Sequence, residues 1–211
     1  TFSPLPEGDL KNALLGLAEE TGFSFKDVKI MDASKRSNHS NAYFTGFGKV
    51  KRVVLFDTLV SSMTTDELVS VLAHELGHFK KRHILKTLIL SQTSLLVGFM
   101  VMGFFKDLPW LYSGLGLNEN SWSVLICFGL IIPRVTFWFS PLMGLFSRNN
   151  EFEADFFAKK ITGTGDHLKS ALICLEKENL NSPEPYPLFQ KWHYSHPTVG
   201  QRVEALEAGQ K

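Results

Sequence analysis

Cysteine is scarce in this 211-residue sequence, an excess of charge of either sign is missing, and no repeat or low-complexity segment interrupts it. The two cysteines, Cys127 and Cys174, stand 47 positions apart in apolar or helical surroundings, so neither a disulfide framework nor a cysteine-based zinc site is signalled. A formal net charge of +1 gives no reason to expect nucleic acid or another polyanion as partner. With 44% hydrophobic residues the chain also falls outside the disordered class, which needs few apolar residues and a large net charge. No signal peptide is visible. The chain opens TFSPLPEGD without an initiating methionine, and we expect a C-terminal piece of a longer protein.

What the chain does have is apolar length in two places. Ile84 to Phe105 holds one formal charge, Lys86, and its 22 residues meet the roughly 20 that a spanning helix needs. Trp122 to Phe146 is as long but contains Pro133, Arg134 and Pro141. It is expected to span as a kinked helix, with the arginine facing protein or a wet cavity. A pair of soluble core helices would explain such long, nearly uncharged runs poorly. Lys80, Lys81 and Arg82 stand just before the first run, which puts that end on the cytoplasmic side.

These runs divide the chain. Residues 1–83 are expected to hold an N-terminal helix, a small sheet and a further helix, residues 84–105 a transmembrane helix and 106–121 a loop. A kinked transmembrane helix then covers 122–146, and a loop-connected helical part covers 147–211. In the first part, Leu10, Ala13, Leu14, Leu17 and Ala18 make the stripe of an amphipathic helix that stops near Gly22. The β-branched or aromatic runs Val28 to Met31, Ala42 to Phe47 and Val53 to Phe56 predict a small antiparallel sheet.

The chemistry starts at AHELGH. Thr64 and Glu67 form a capping-box pattern ahead of Leu68, Val69, Val71 and Leu72, so His74, Glu75 and His78 lie inside a helix. Histidines four apart share one helical face and can reach one zinc ion, while Glu75 is offset towards a zinc-bound water. Neutral imidazoles hold the metal, the metal acidifies the water, and Glu75 takes the proton during attack on a peptide carbonyl.

A catalytic zinc site usually has three protein ligands, and the candidate for the third is Glu151, in SRNNEFEADFFAKK. Asp155, one turn on, would orient a ligand or meet the substrate, while Glu153 faces elsewhere. Spacing alone leaves a solvated acidic helix start as an equal alternative. In WHYSHPTVGQRVEAL, His196 and Arg202 stand before or within a closing helix whose stripe is Val199, Val203 and Leu206, with Pro197 suited to its first turn. Either side chain can stabilise an oxyanion. Capping and helix packing explain them equally well at this point.

Taken together, PLPEG, SKRSNHSNAYFTGF, KRVVLFDTL, AHELGH, SRNNEFEADFFAKK and WHYSHPTVGQR resemble the type I CAAX prenyl protease family over essentially the whole chain, in the family's order. The resemblance implies a mainly α membrane protein with a gluzincin-like zinc peptidase core, two of whose transmembrane helices lie in this chain. It implies one zinc ion held by His74, His78 and Glu151, with Glu75 as base and Asp155 as a second catalytic or proton-handling residue. His196 and Arg202 would bind the substrate backbone or oxyanion, and Asn41, Ala42 and Tyr43 a substrate-side edge strand that an extended peptide joins.

The implied reaction removes the last three residues of a prenylated CAAX protein at the endoplasmic reticulum membrane, in a multi-pass protein, with the inner nuclear membrane as a second location. Partners would be that substrate, the lipid bilayer and an N-terminal transmembrane half, since the family builds its chamber from seven membrane helices. Two other readings stand beside it: a general membrane quality-control metallopeptidase, and a non-catalytic membrane scaffold with a structural zinc. The second leaves Glu75 without a use.

Overall fold

The structure, a computed structural model, describes residues 2–35, 41–45, 52–118, 120–179 and 185–209. In chain order these form strands β1 (Phe2–Pro4), β2 (Asp27–Met31), β3 (Ala42–Thr45) and β4 (Arg52–Phe56). The helices are α1 (Asp9–Thr21), α2 (Asp57–Ser62), α3 (Thr65–Lys80), α4 (His83–Phe105), α5 (Pro109–Ser113), α6 (Ser121–Thr162), α7 (Asp166–Asn179), α8 (Pro187–His193) and α9 (Val199–Ala208). The chain divides into two compact units. The first comprises Thr1–Lys81, Arg148–Tyr186 and His196–Lys211, the second Arg82–Ser147 and Pro187–Ser195.

In the first unit the stripe expected for α1 turns inward, with Leu14 and Leu17 buried, and Gly22 ends the helix in the left-handed conformation. The sheet has the order β1-β2-β4-β3 and is mixed, not wholly antiparallel: β2 and β4 run parallel. Successive strands alternate in direction, so β2 and β4 point the same way. They become neighbours because β3 takes the other edge of β4, antiparallel to it. Strand β1 was not expected, since three residues ending in Pro4 carry no alternation to read; it pairs antiparallel with β2. Phe47 and His39 lie outside the described residues.

Helix α3 packs on α1, α7 and β3, and its Leu68, Leu72 and Leu76 join Leu55, Leu59, Leu168 and Leu206 in one apolar core. The capping box anticipated from Thr64 and Glu67 is present: Thr64 N–H donates to Glu67 Oε2 at 2.8 Å, and Glu67 N–H to Thr64 Oγ1 at 3.4 Å. A second box, Thr198 with Gln201, starts α9 and was not foreseen; Pro197 precedes this cap and is not in the helix. At the sheet's end Asp57 accepts from the backbone N–H groups of Ala33, Ser34 and Thr58 and from the Ser34 hydroxyl, holding the turn after β2 against the start of α2. The Ser34 hydroxyl and these three N–H groups draw the Asp57 pKa down to about 2.

The second unit has the opposite character. Of α4 only His83 is buried, and Ile84, Leu88, Phe99 and Phe104 are exposed. His83–Phe105 and Trp122–Thr162 are both long and apolar enough to cross a membrane. Leu111, Tyr112, Cys127 and Phe128 form a small buried apolar cluster in this unit.

Helix α6 corrects the expected boundary at residue 147, because no loop separates the apolar run from the acidic segment. Inside it, Pro141 frees the Phe137 carbonyl, and the Ser140 hydroxyl donates to that carbonyl at 2.8 Å. The helix ends before Gly163, at φ 75°. Arg134 is exposed among the described residues, with Nη1 donating to the Leu130 carbonyl at 2.9 Å.

Candidate metal centre

All the polar side chains expected at the site belong to the first unit. The cap at Thr64 starts α3 so that His74 and His78 lie on one face, and the acidic segment of α6 brings Glu151 and Asp155 to it. Three of these groups are buried among apolar neighbours: His74 is 7% exposed, Glu151 5% and Asp155 1%. Buried ionisable groups persist where they are paired or bind a cation.

Two such pairings account for Asp155. Its Oδ1 lies 2.8 Å from His74 Nδ1, and Arg202 holds it from the other side, with Nε to Oδ2 at 2.8 Å and Nη2 to Oδ1 at 2.5 Å. A carboxylate only accepts, so His74 Nδ1 carries the proton and Nε2 is left with its lone pair. That Nε2 faces His78 Nε2 at 3.1 Å, and Glu151 closes the triangle, with Oε1 3.4 Å from His78 Nε2 and Oε2 3.6 Å from His74 Nε2.

His74, His78 and Glu151 thus offer converging ligand atoms within 4.8 Å of one another. Ligand atoms on a tetrahedral zinc ion with bonds of about 2.05 Å lie about 3.3 Å apart, so the set has the chemistry and the size for such an ion. Around it, His196 Nδ1 sits 3.1 Å from Glu151 Oε1 on an imidazole two-thirds exposed, and Arg202 Nη1 sits 3.7 Å from Glu151 Oε2. The bond to Glu151 raises the His196 pKa above its ordinary value. Burial lifts the Glu75 carboxyl above the usual carboxylate range, against the pull of the two histidines.

The structure therefore brings together His74, Glu75, His78, Glu151, Asp155, His196 and Arg202. Glu153 is exposed, as expected. Asn41 precedes β3 and Ala42 and Tyr43 begin it, one of the sheet's two edge strands among the described residues. The Asn41 carbonyl accepts from Phe56 N–H at 3.0 Å, its side-chain Oδ1 accepts from Ala42 N–H at 2.8 Å, and α3 packs against this strand. Arg202 does more than the sequence suggested, because its Nε and Nη2 hold Asp155. Gly77 was passed over. A Cβ there would lie 3.0 Å from Ala154 Cα, and the available signal was a glycine inside an otherwise helical pattern.

Two imidazoles and a carboxylate converging from neighbouring helices, with a half-buried glutamate beside them, define a centre of the metallopeptidase class. The sequence model of peptidase family M48 matches residues 4–210, and the chain belongs to that family. It is 40% identical to CAAX prenyl protease 1 of Saccharomyces cerevisiae, covering 98% of this chain and 49% of that protein. The CAAX prenyl protease 1 homolog of Homo sapiens is 35% identical over 98% of this chain and 52% of its own length. Among solved structures, S. mikatae Ste24p superposes with a TM-score of 0.85 at 39% identity, over 98% of this chain and 51% of that one. The chain spans about half the length of the curated relatives it matches.

Proposed function

We propose that this chain carries the catalytic part of a zinc endopeptidase that removes the last three residues of prenylated CAAX proteins. The observation that carries the reading is the triangle of His74, His78 and Glu151 with Glu75 half-buried beside it, in a chain similar over 98% of its length to CAAX prenyl protease 1. One zinc ion held by those three residues would acidify water and polarise the scissile carbonyl.

The remaining chemistry falls to the chain itself. Glu75 takes a proton from the attacking water on its carboxylate and returns it to the leaving amine; its burial favours a group that holds the proton between the two events. Asp155 fixes the His74 ring and its tautomer through Nδ1, and Arg202 fixes Asp155. His196, exposed on the rim, has its imidazole placed to donate to the oxygen that gains charge. The edge of β3 at Asn41–Tyr43, unpaired among the described residues, accepts an extended substrate backbone.

The apolar helices suit a substrate whose prenyl chain partitions into lipid, in a multi-pass protein of the endoplasmic reticulum membrane completed by an N-terminal transmembrane half. The test is hydrolysis of a farnesylated CAAX peptide by the full-length protein, against the same peptide unprenylated. The intact protein should cleave the prenylated form preferentially. Glu75→Gln should keep its zinc and lose about 10²–10⁴-fold in rate, the usual contribution of general acid–base catalysis. Equal cleavage of both peptides would favour the quality-control reading, and normal activity of the variant with zinc retained would remove Glu75 from the mechanism.

A further inference from the structure

Helix α3 carries its glycine in the last turn, between Leu76 and His78, and on α6 Ala154 lies between Glu151 and Asp155. At these two residues the backbones of the helices come close. A Cβ at position 77 would stand 3.0 Å from the Ala154 Cα, 3.1 Å from its carbonyl oxygen and 3.3 Å from its Cβ. Two of those three atoms are backbone, so no rotamer change clears the clash. Only a separation of the helices by a few tenths of an ångström does.

That separation acts directly on the metal set, because His74 and His78 come from one helix and Glu151 from the other. The distances that would widen are the 3.4 and 3.6 Å edges from the imidazole nitrogens to the Glu151 carboxylate. Metal–ligand distances tolerate only about ±0.2 Å. A glycine inside a helix is destabilising relative to alanine, and at Gly16, where a Cβ would meet nothing within 4 Å, the structure shows no contact that requires one.

We propose that Gly77 is a positioning residue of the metal centre: by allowing backbone contact between α3 and α6 at Ala154, it sets the distance from the two histidines to Glu151. This rests on the zinc-site reading above. The test uses the full-length protein in detergent with four forms: intact, Gly77→Ala, Gly77→Ala with Ala154→Gly, and Gly16→Ala as a helix control. Zinc affinity is measured by chelator competition, site geometry by the visible absorption of the cobalt-substituted protein, and folding by circular dichroism before metal is added.

Gly77→Ala should fold and bind zinc about 10–100-fold more weakly, the range seen when groups that orient ligands are lost, with an altered cobalt spectrum. Ala154→Gly should restore part of the affinity, since it removes the 3.3 Å contact and leaves the 3.0 and 3.1 Å ones. Gly16→Ala should match the intact protein. Unchanged affinity and cobalt spectrum in Gly77→Ala overturn the proposal, and so does loss of helical signal before metal addition, which would assign the glycine to folding. An intact protein that binds no zinc defeats the zinc-site reading itself and leaves the helix contact standing.

Discussion

The two units invert each other's chemistry. The first buries His74, Glu151 and Asp155 behind a shell of leucine, valine and alanine. The second displays Ile84, Leu88, Phe99, Phe104 and Trp138 on its outside, with Phe104 78% exposed. A soluble domain hides apolar surface because water expels it, and it hides charge only where pairing or a ligand offsets desolvation. The first unit obeys that rule with a functional exception at its centre. The second breaks it along whole helices, which fits lipid or further protein as its surroundings. A mean hydropathy of zero is the average of two opposite surfaces.

The largest effect should come from breaking the buried charge set. Asp155→Ala leaves Arg202, whose side chain is 11% exposed, without its main partner, and removes the acceptor that fixes His74. Unpairing a buried charge costs about 3–5 kcal/mol, so the thermal transition of the metal-free protein should fall by many degrees and zinc affinity should drop as well. Asp155→Leu with Arg202→Met tells stability from function. Replacing both partners by apolar side chains should recover most of the lost stability, while zinc affinity, read by chelator competition, stays weakened. Recovery of both would mean that the pair does not orient His74.

A smaller effect measures what surrounds each unit. Leu96→Arg, in the middle of α4 where the leucine is 58% exposed, should cost about 3 kcal/mol of membrane insertion, read as the fraction of chains integrated. Leu15→Arg, on the exposed face of α1 at 44%, should change stability by about 0.5 kcal/mol at most. Equal tolerance of both would abolish the contrast between the units.

The same contrast explains what the sequence made legible. Local codes were readable: the stripe of α1, the cap and histidine spacing of α3, and the length of α4 depend on residues within a few turns of one another. Relations across the chain were not. The parallel pairing of β2 with β4 depends on which edge β3 takes, and nothing in the strand residues states it. The continuity of α6 past residue 147, from an apolar run into an acidic segment, has no local signal in the residues at the junction. The site residues were named, but the Arg202–Asp155 pair joins positions 47 apart, and the Gly77–Ala154 contact belongs to tertiary packing alone.

The least costly perturbation concerns how the first unit secures its sheet with a partly buried charge instead of a fully buried one. Asp57 has its pKa drawn to about 2 by the Ser34 hydroxyl and three backbone N–H groups that favour the carboxylate. An unfolded chain would ionise it near 3.9. The folded value is the lower one, so the ionised form stabilises the fold. That contribution is complete above about pH 4 and is lost as the pH falls through about 2. Asp57→Ala should therefore lower the thermal midpoint slightly at pH 5 and bring the variant and the intact protein together near pH 2. Because the group is only partly buried, salt and water weaken the effect well below that of Asp155. A difference that persists unchanged at pH 2 would mean that the side chain acts there by packing and not by its charge.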